Sequence, residues 1–159
     1  MPIPTEAIAL ENRHIGSNGE PTLGDAFKIL RADWENGNRE RELCLHLLFL
    51  CWYGLAEPAY LTGFLGRDFD DVQEFFAEVF EYVQPEIEND PEMLYTVGLG
   101  AHLFGMMLPG GHSVWDRRSE EYRQLYRRLC PQGIDPTIFL NRGYYGGYYY
   151  DLASVEDGY

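Results

Sequence analysis

The stretch "LCLHLLFLCWYGL", residues 43–55, decides the fold class, because it is apolar on every side of the helix that it predicts. A helix with one apolar stripe lies at a surface, whereas a helix that is apolar all round lies in the interior. The run is shorter than the roughly 20 residues that a bilayer span needs, and His46 interrupts it. The sequence therefore predicts a central helix, over about residues 39–55, against which the other helices pack.

Neighbouring segments predict helices on both sides of this one. Thr22 opens "TLGD", a capping box, and the helix that it starts ends at "ENGN". Residues 70–84 combine one apolar arc with one acidic arc, and Pro85 should end or kink this third helix. Asp90 before a proline is typical of a helix start and predicts the fourth helix. A second capping box, from Ser113, predicts the fifth.

The string "IDPTIFL", residues 134–140, adds one short helix, and no segment carries a strand pattern of useful length. The predicted fold class is therefore all-α, a single compact domain of five to six helices. Short loops should join these helices into antiparallel hairpins, packed as a bundle or as the start of a superhelix. The hairpins loosely resemble the helix-turn-helix units of tetratricopeptide repeats, although they start about 48 residues apart instead of 34.

Two segments flank this helical domain, which covers residues 22–142. Residues 1–21 contain three prolines and no periodic apolar face, which predicts an arm that is flexible or draped on the domain. Residues 143–159 form a Tyr/Gly-rich segment, and its end, "ASVEDGY", predicts a loose tail.

The charge balance limits the partners of the chain. Over 159 residues, 26 acidic and 12 basic residues give a net charge of -14, which would repel nucleic acids and anionic membranes. A basic protein partner, or solubility alone, fits this charge better. The N-terminal sequence has no basic segment followed by an apolar core, which favours a cytoplasmic protein of bacterial type. Three cysteines without C-x-x-C spacing favour buried thiols over disulfides or a zinc site.

The third helix and its flanks concentrate the acidic charge. Ten acidic residues lie between residues 68 and 92, and Arg67 lies just before them. Such a face would steer a basic protein towards it, with salt-sensitive association, or would simply keep the chain in solution. The candidate partner-binding residues on this face are Asp71, Glu74, Glu78 and Glu81.

The stretch "RGYYGGYYYDL", residues 142–152, is the second candidate surface. Tyrosine offers a large contact area at low entropic cost, together with a polar hydroxyl. An exposed apolar patch of this size is rare on a monomer, so the segment should be covered. Three alternatives stay open, namely packing inside the domain, contact with a partner or second subunit, and a platform for a small molecule. The residues concerned are Tyr144, Tyr145, Tyr148, Tyr149 and Tyr150.

A third candidate lies between the second and fourth helices, where His46, Glu57 and His102 would form a pocket if they converge. Glu57 is the only formally charged residue from Leu43 through Gly66, so its carboxylate needs a donor, a surface position or a proton. Glu42 and His46 are one helical turn apart and could share a proton or a metal ion. The sequence carries no signature for catalytic residues, a metal site or a bound cofactor.

These observations leave three classes of function. The leading one is a non-enzymatic, cytoplasmic helical domain that binds another protein through the acidic third helix and the tyrosine segment, for example an acidic inhibitor or immunity-type protein. The second is a small helical enzyme or ligand-binding protein whose pocket contains His46, Glu57 and His102. The third is a structural or assembly subunit that forms a homodimer through the tyrosine segment.

Overall fold

All regular secondary structure is helical in the computed structural model, which describes residues 2–14 and 19–155. Two of its helices are short 3₁₀ helices, Gly105–Met107 and Pro136–Phe139. The prediction of an all-α fold is confirmed, but these described residues form more α-helices than the five to six predicted. The eight are α1 (Thr5–His14), α2 (Leu23–Glu35), α3 (Arg41–Ala56), α4 (Ala59–Thr62), α5 (Phe69–Ile87), α6 (Pro91–Phe104), α7 (His112–Leu129) and α8 (Gly143–Val155).

The predicted central helix is α3, which is buried along almost its whole length from Leu43 to Leu55. It contacts α2, α5, α6 and α8, so the core surrounds it. The fully buried Phe49 ring packs against aromatic side chains of both α3 and α8. Full burial of one such side chain contributes roughly 1.5–3 kcal/mol, which makes α3 the principal hydrophobic element.

Helix α1 lies within residues 1–21, the segment that the sequence predicts as an arm either flexible or draped on the domain. Ala7 and Glu11 are fully buried, and the helix packs against α2 and α8. Its last turn is tied to the domain by the Thr22 hydroxyl, which donates to the Leu10 carbonyl oxygen at 2.6 Å. The sequence pattern missed this helix because its buried face includes a carboxylate. Residues 1 and 15–18 of the predicted arm lie outside the described residues.

Helix α8 contains most of the Tyr/Gly-rich segment, which the sequence did not predict to be helical. It begins at Gly143, whose φ of 68° is a backbone conformation that favours glycine. A side chain at Gly146 would lie 2.2 Å from the Phe139 carbonyl oxygen, so glycine permits close packing on the preceding 3₁₀ helix. The last residues of the predicted tail, 156–159, lie outside the described part of the chain.

The helix ends agree only in part with the predicted caps. Asp90 caps α6 as predicted, because its carboxylate accepts from the Met93 amide at 3.1 Å. Neither predicted capping box is present, since Thr22 bonds to α1 instead and Ser113 lies inside α7 after the N-cap Gly111. Helix α5 does not end at Pro85 but continues for two more residues, to Ile87. The loss of one backbone donor so close to the helix end breaks little of the hydrogen-bond ladder.

The predicted hairpin pairing is not confirmed as a whole. Helices α2 and α3 do pack together, but α5 packs mainly on α3, and α6 makes the most extensive helix contact of the fold with α7. The arrangement is therefore centred on α3 rather than on two equivalent hairpins. Across residues 2–14 and 19–155, no helix combines the length and hydropathy that crossing a membrane requires.

Candidate functional site

A chain of buried and half-buried charges joins α1, α3, α6 and the start of α8. His46 Nδ1 lies 2.6 Å from Glu11 Oε2, and His46 Nε2 lies 2.9 Å from Glu42 Oε1. Both His46 and Glu11 are fully buried. Burial alone lowers the pKa of His46, but the attraction of Glu11 and Glu42 outweighs it and raises the pKa to about 9. His46 is therefore an imidazolium that donates from both ring nitrogens.

Arg142 extends this chain. Its guanidinium donates two hydrogen bonds to Glu42, at 2.9 and 2.7 Å, and its Nη1 lies 2.6 Å from Glu92 Oε1. Burial raises the pKa of Glu42, but the bonds from His46 and Arg142 lower it to about 2. Tyr145 connects two of these carboxylates, because its amide donates to Glu11 and its hydroxyl donates to Glu92.

We call this set, Glu11, Glu42, His46, Glu92 and Arg142, the charge network. Every carboxylate in it faces a cation or a donor, as buried charges require. Its geometry fixes four helices to one another, and it encloses His46 and Glu11 completely. The sequence indicates the Glu42 and His46 pair through its helical spacing, but not the other three members, since they lie far apart along the chain.

The tyrosines of α8 divide between two environments. Tyr145 and Tyr149 are buried, and the Tyr149 hydroxyl donates to the Thr96 carbonyl oxygen at 3.1 Å. Burial raises the pKa of both phenols well above its usual value. Tyr144, Tyr148 and Tyr150 are half-buried. Part of the segment is thus core, whereas the half-buried tyrosines reach the surface.

Tyr144 and Tyr148 reach the surface in a groove of about 630 Å³, which we call the tyrosine groove. The Tyr53 ring centroid lies 5.4 Å from that of Tyr144 and 5.8 Å from that of Tyr148. The Tyr53 and Tyr144 hydroxyls are 2.8 Å apart and share a hydrogen bond. The His14 ring meets Tyr144 edge-on at 4.5 Å. The described residues that line the groove are His14, Gly19, Tyr53, Glu57, Leu61, Thr62, Tyr144, Gly147, Tyr148, Asp151 and Leu152.

Two carboxylates, those of Glu57 and Asp151, line the tyrosine groove, and its described lining includes no lysine or arginine. Burial, the neighbouring Tyr144 and the negative charge of Glu57 raise the pKa of Tyr148 to about 12. Burial, the bond to Tyr144 and the charge of Glu57 also raise the pKa of Tyr53. The phenols therefore stay neutral, and the groove presents aromatic faces and negative charge together.

The predicted pocket of His46, Glu57 and His102 has its members in three different surroundings. His46 is enclosed in the charge network, Glu57 lies in the tyrosine groove, and His102 is exposed on α6. The structure instead brings Glu57 together with Tyr144 and Tyr148, two candidate sites that the sequence kept apart. In the described part of the chain, no three His, Cys, Asp or Glu side chains are placed to share a metal ion.

The acidic face of α5 is partly engaged within the domain. Asp71 pairs with Arg31 through two bonds, at 2.7 and 3.0 Å, and Glu78 accepts from the Trp34 indole at 2.8 Å. Glu74 and Glu81 are exposed. Of the four acidic residues predicted to bind a partner, two therefore already stabilise the contact between α2 and α5.

Comparison of the chain with models of protein families, with curated proteins and with solved structures finds no match. The assignment of function therefore depends on the geometry of the tyrosine groove and of the acidic surface.

Proposed function

We propose that this chain is a non-enzymatic, cytoplasmic helical domain that binds a basic partner protein, and that the tyrosine groove receives a cationic side chain of that partner. The observation that carries the proposal is the half-buried Glu57, which lies among three tyrosine rings in a groove lined by no lysine or arginine of the described chain. A carboxylate in such surroundings gains most from a cation.

The groove suits the whole length of a lysine side chain. Leu61 and Leu152 line it and can cover the methylene stem, while the carboxylates of Glu57 and Asp151 face the ammonium group. A cation over an aromatic face gains about 0.5–2 kcal/mol, depending on its exposure. The net charge of -14 would in addition raise the rate at which a basic protein approaches.

Two further observations support a binding rather than a catalytic role. Both ring nitrogens of His46 are already bonded to carboxylates, so this base is not open to a substrate. The cysteines Cys44 and Cys51 are buried free thiols whose pKa burial raises, which suits a reducing cytoplasm and disfavours a nucleophilic role.

Calorimetric titration with three short peptides tests the proposal. The peptides carry a central lysine, a trimethyllysine or an acetyllysine, and they differ only at that side chain. The cationic peptides should bind and the neutral acetyllysine peptide should not. Glu57→Gln should weaken binding by about tenfold, because it removes one charge-assisted contact.

Glu88→Gln is the matched control for Glu57→Gln, since Glu88 is exposed at the end of α5 and its loss changes the net charge equally. It should leave the affinity almost unchanged. Equal binding of the lysine and acetyllysine peptides would reject the proposal, as would equal effects of Glu57→Gln and Glu88→Gln.

The acidic face of α5 is a second candidate surface for the basic partner. Glu74 and Glu81 are exposed and lie outside the α2–α5 contacts made by Asp71 and Glu78. Reversing all four charges would disturb the domain itself, so the informative variant is Glu74→Lys with Glu81→Lys. If this variant binds the partner at low salt as tightly as the wild type does, the acidic face of α5 is not the binding surface.

A further inference from the structure

A second groove, of about 250 Å³, lies between α2 and the N-terminus of α5, and we call it the Arg67 groove. Arg67 Nη1 is buried without a hydrogen-bond partner. Among the described residues it is the one buried side-chain nitrogen or oxygen in that condition. A buried donor on a charged group that lacks an acceptor leaves its desolvation uncompensated. The described residues lining the groove are Gly24, Phe27, Lys28, Arg31, Gly63, Phe64, Leu65, Gly66, Arg67, Asp68, Asp71 and Val72.

The two acidic residues of the Arg67 groove already have other partners. Asp71 forms the paired contact with Arg31, and Asp68 caps α5 by accepting from the Asp71 amide at 3.1 Å. The exposed Lys28 side chain is a second cation at the groove. Neither carboxylate accepts a hydrogen bond from the buried Arg67 Nη1, so an external acceptor would satisfy this donor.

We propose that the Arg67 groove binds a small ligand that carries a carboxylate on an apolar body. The planar guanidinium fork matches a carboxylate, and Lys28 adds a second positive charge. The apolar part would lie against Phe27, Phe64 and Val72, whose side chains belong to the lining. Asp68 and Asp71 disfavour a phosphate dianion, because they would repel its second negative charge.

Size and access agree with a small ligand. The volume of about 250 Å³ is just below the range of about 300–1,000 Å³ that is typical of drug-sized sites. Leu65 lines the groove and is 73% exposed, so its side chain can change rotamer with little loss of packing. Gly66 also lines the groove and is exposed.

The test uses hexanoate and benzoate as probes, with hexanamide and inorganic phosphate for comparison, at constant ionic strength. Binding is followed by the amide chemical shifts of the protein. Hexanoate and benzoate should shift the amides of the groove, and hexanamide should not. Tighter binding of phosphate than of hexanoate would overturn the carboxylate assignment, and the absence of any shift with both carboxylates would overturn the site.

The variant Arg67→Met distinguishes a role of Arg67 in binding a ligand from a role in stabilising the fold. It should weaken hexanoate binding by about tenfold or more, because it removes the charged donors. The unliganded variant should melt at the same temperature as the wild type or higher, because an orphaned buried donor has been replaced by an apolar chain. A lower melting temperature, or hexanoate binding that persists, would overturn the proposal.

Arg117→Met is the matched control, because Arg117 is exposed on α7 and its loss changes the net charge equally. It should bind hexanoate as the wild type does. Glu57→Gln should also bind hexanoate normally, so failure of this proposal and failure of the tyrosine groove are separate results.

Discussion

The free energy of unfolding should fall by about 3 kcal/mol between pH 6.5 and pH 9, because His46 is held as a cation only in the folded chain. In the unfolded chain the pKa of a histidine is near 6.5, and in the charge network it is about 9. A difference of one pH unit between two pKa values corresponds to about 1.4 kcal/mol. The interval between the two values therefore gives about 3 kcal/mol.

The sign follows from the raised pKa in the folded state. The stabilisation is complete below pH 6.5 and is lost as the pH rises through 9, since the unfolded chain releases its proton first. Burial also raises the pKa of Cys44 from 9.0 to about 11, but the loss of stability that this causes develops mainly above pH 9, where the unfolded thiol is ionised. The interval from pH 6.5 to pH 9 thus isolates His46 from the thiols.

Urea unfolding followed by far-UV circular dichroism, at intervals across this pH range, measures the effect. His46→Gln is the informative comparison, because its amide can still donate to Glu11 but does not titrate. The variant should be less stable at pH 6.5 and should show little change up to pH 9. A wild-type stability that is constant over the interval, or the same slope in both proteins, would show that His46 is not held as a cation by the charge network.

Three further changes test the packing. Gly24→Ala should lower the free energy of unfolding by more than about 2 kcal/mol in urea, because its Cβ would lie 2.1 Å from the Gly63 carbonyl oxygen; unchanged stability would contradict this contact. Tyr145→Phe should lower it by about 1 kcal/mol, through loss of the 2.8 Å bond to Glu92, and a loss beyond about 3 kcal/mol would show that the ring itself had moved. A chain that lacks α8 loses two fully buried tyrosines and should show no cooperative thermal transition, whereas a folded monomer would disprove that role.

The sequence was sufficient to predict those structural features that depend on a single segment of the chain. The apolar run of α3 predicted a central helix because burial on all sides leaves no other place for it. The proline after Asp90 and the capping carboxylate predicted the start of α6 for the same local reason. Such features depend on neighbours within one or two helical turns.

The remaining features depend on contacts between distant segments. Glu11 is a charged residue on the buried face of α1, so the apolar pattern there is broken, and only its bond to His46 explains why it is inside. The walls of the tyrosine groove come from α1, α3, α4 and α8, and its hydroxyl pair joins Tyr53 to Tyr144 across 91 positions. Composition and spacing along one helix carry no information about such pairs.

The central claim is that the tyrosine groove binds a cationic side chain, and the ring signals of its tyrosines in NMR spectra test it most directly. During titration with the lysine peptide, the rings of Tyr53, Tyr144 and Tyr148 should shift together with one saturation curve. Tyr82, which is 51% exposed on α5, is the internal comparison and should not shift. Unchanged signals from the three groove tyrosines, or an equal shift of Tyr82, would contradict the account.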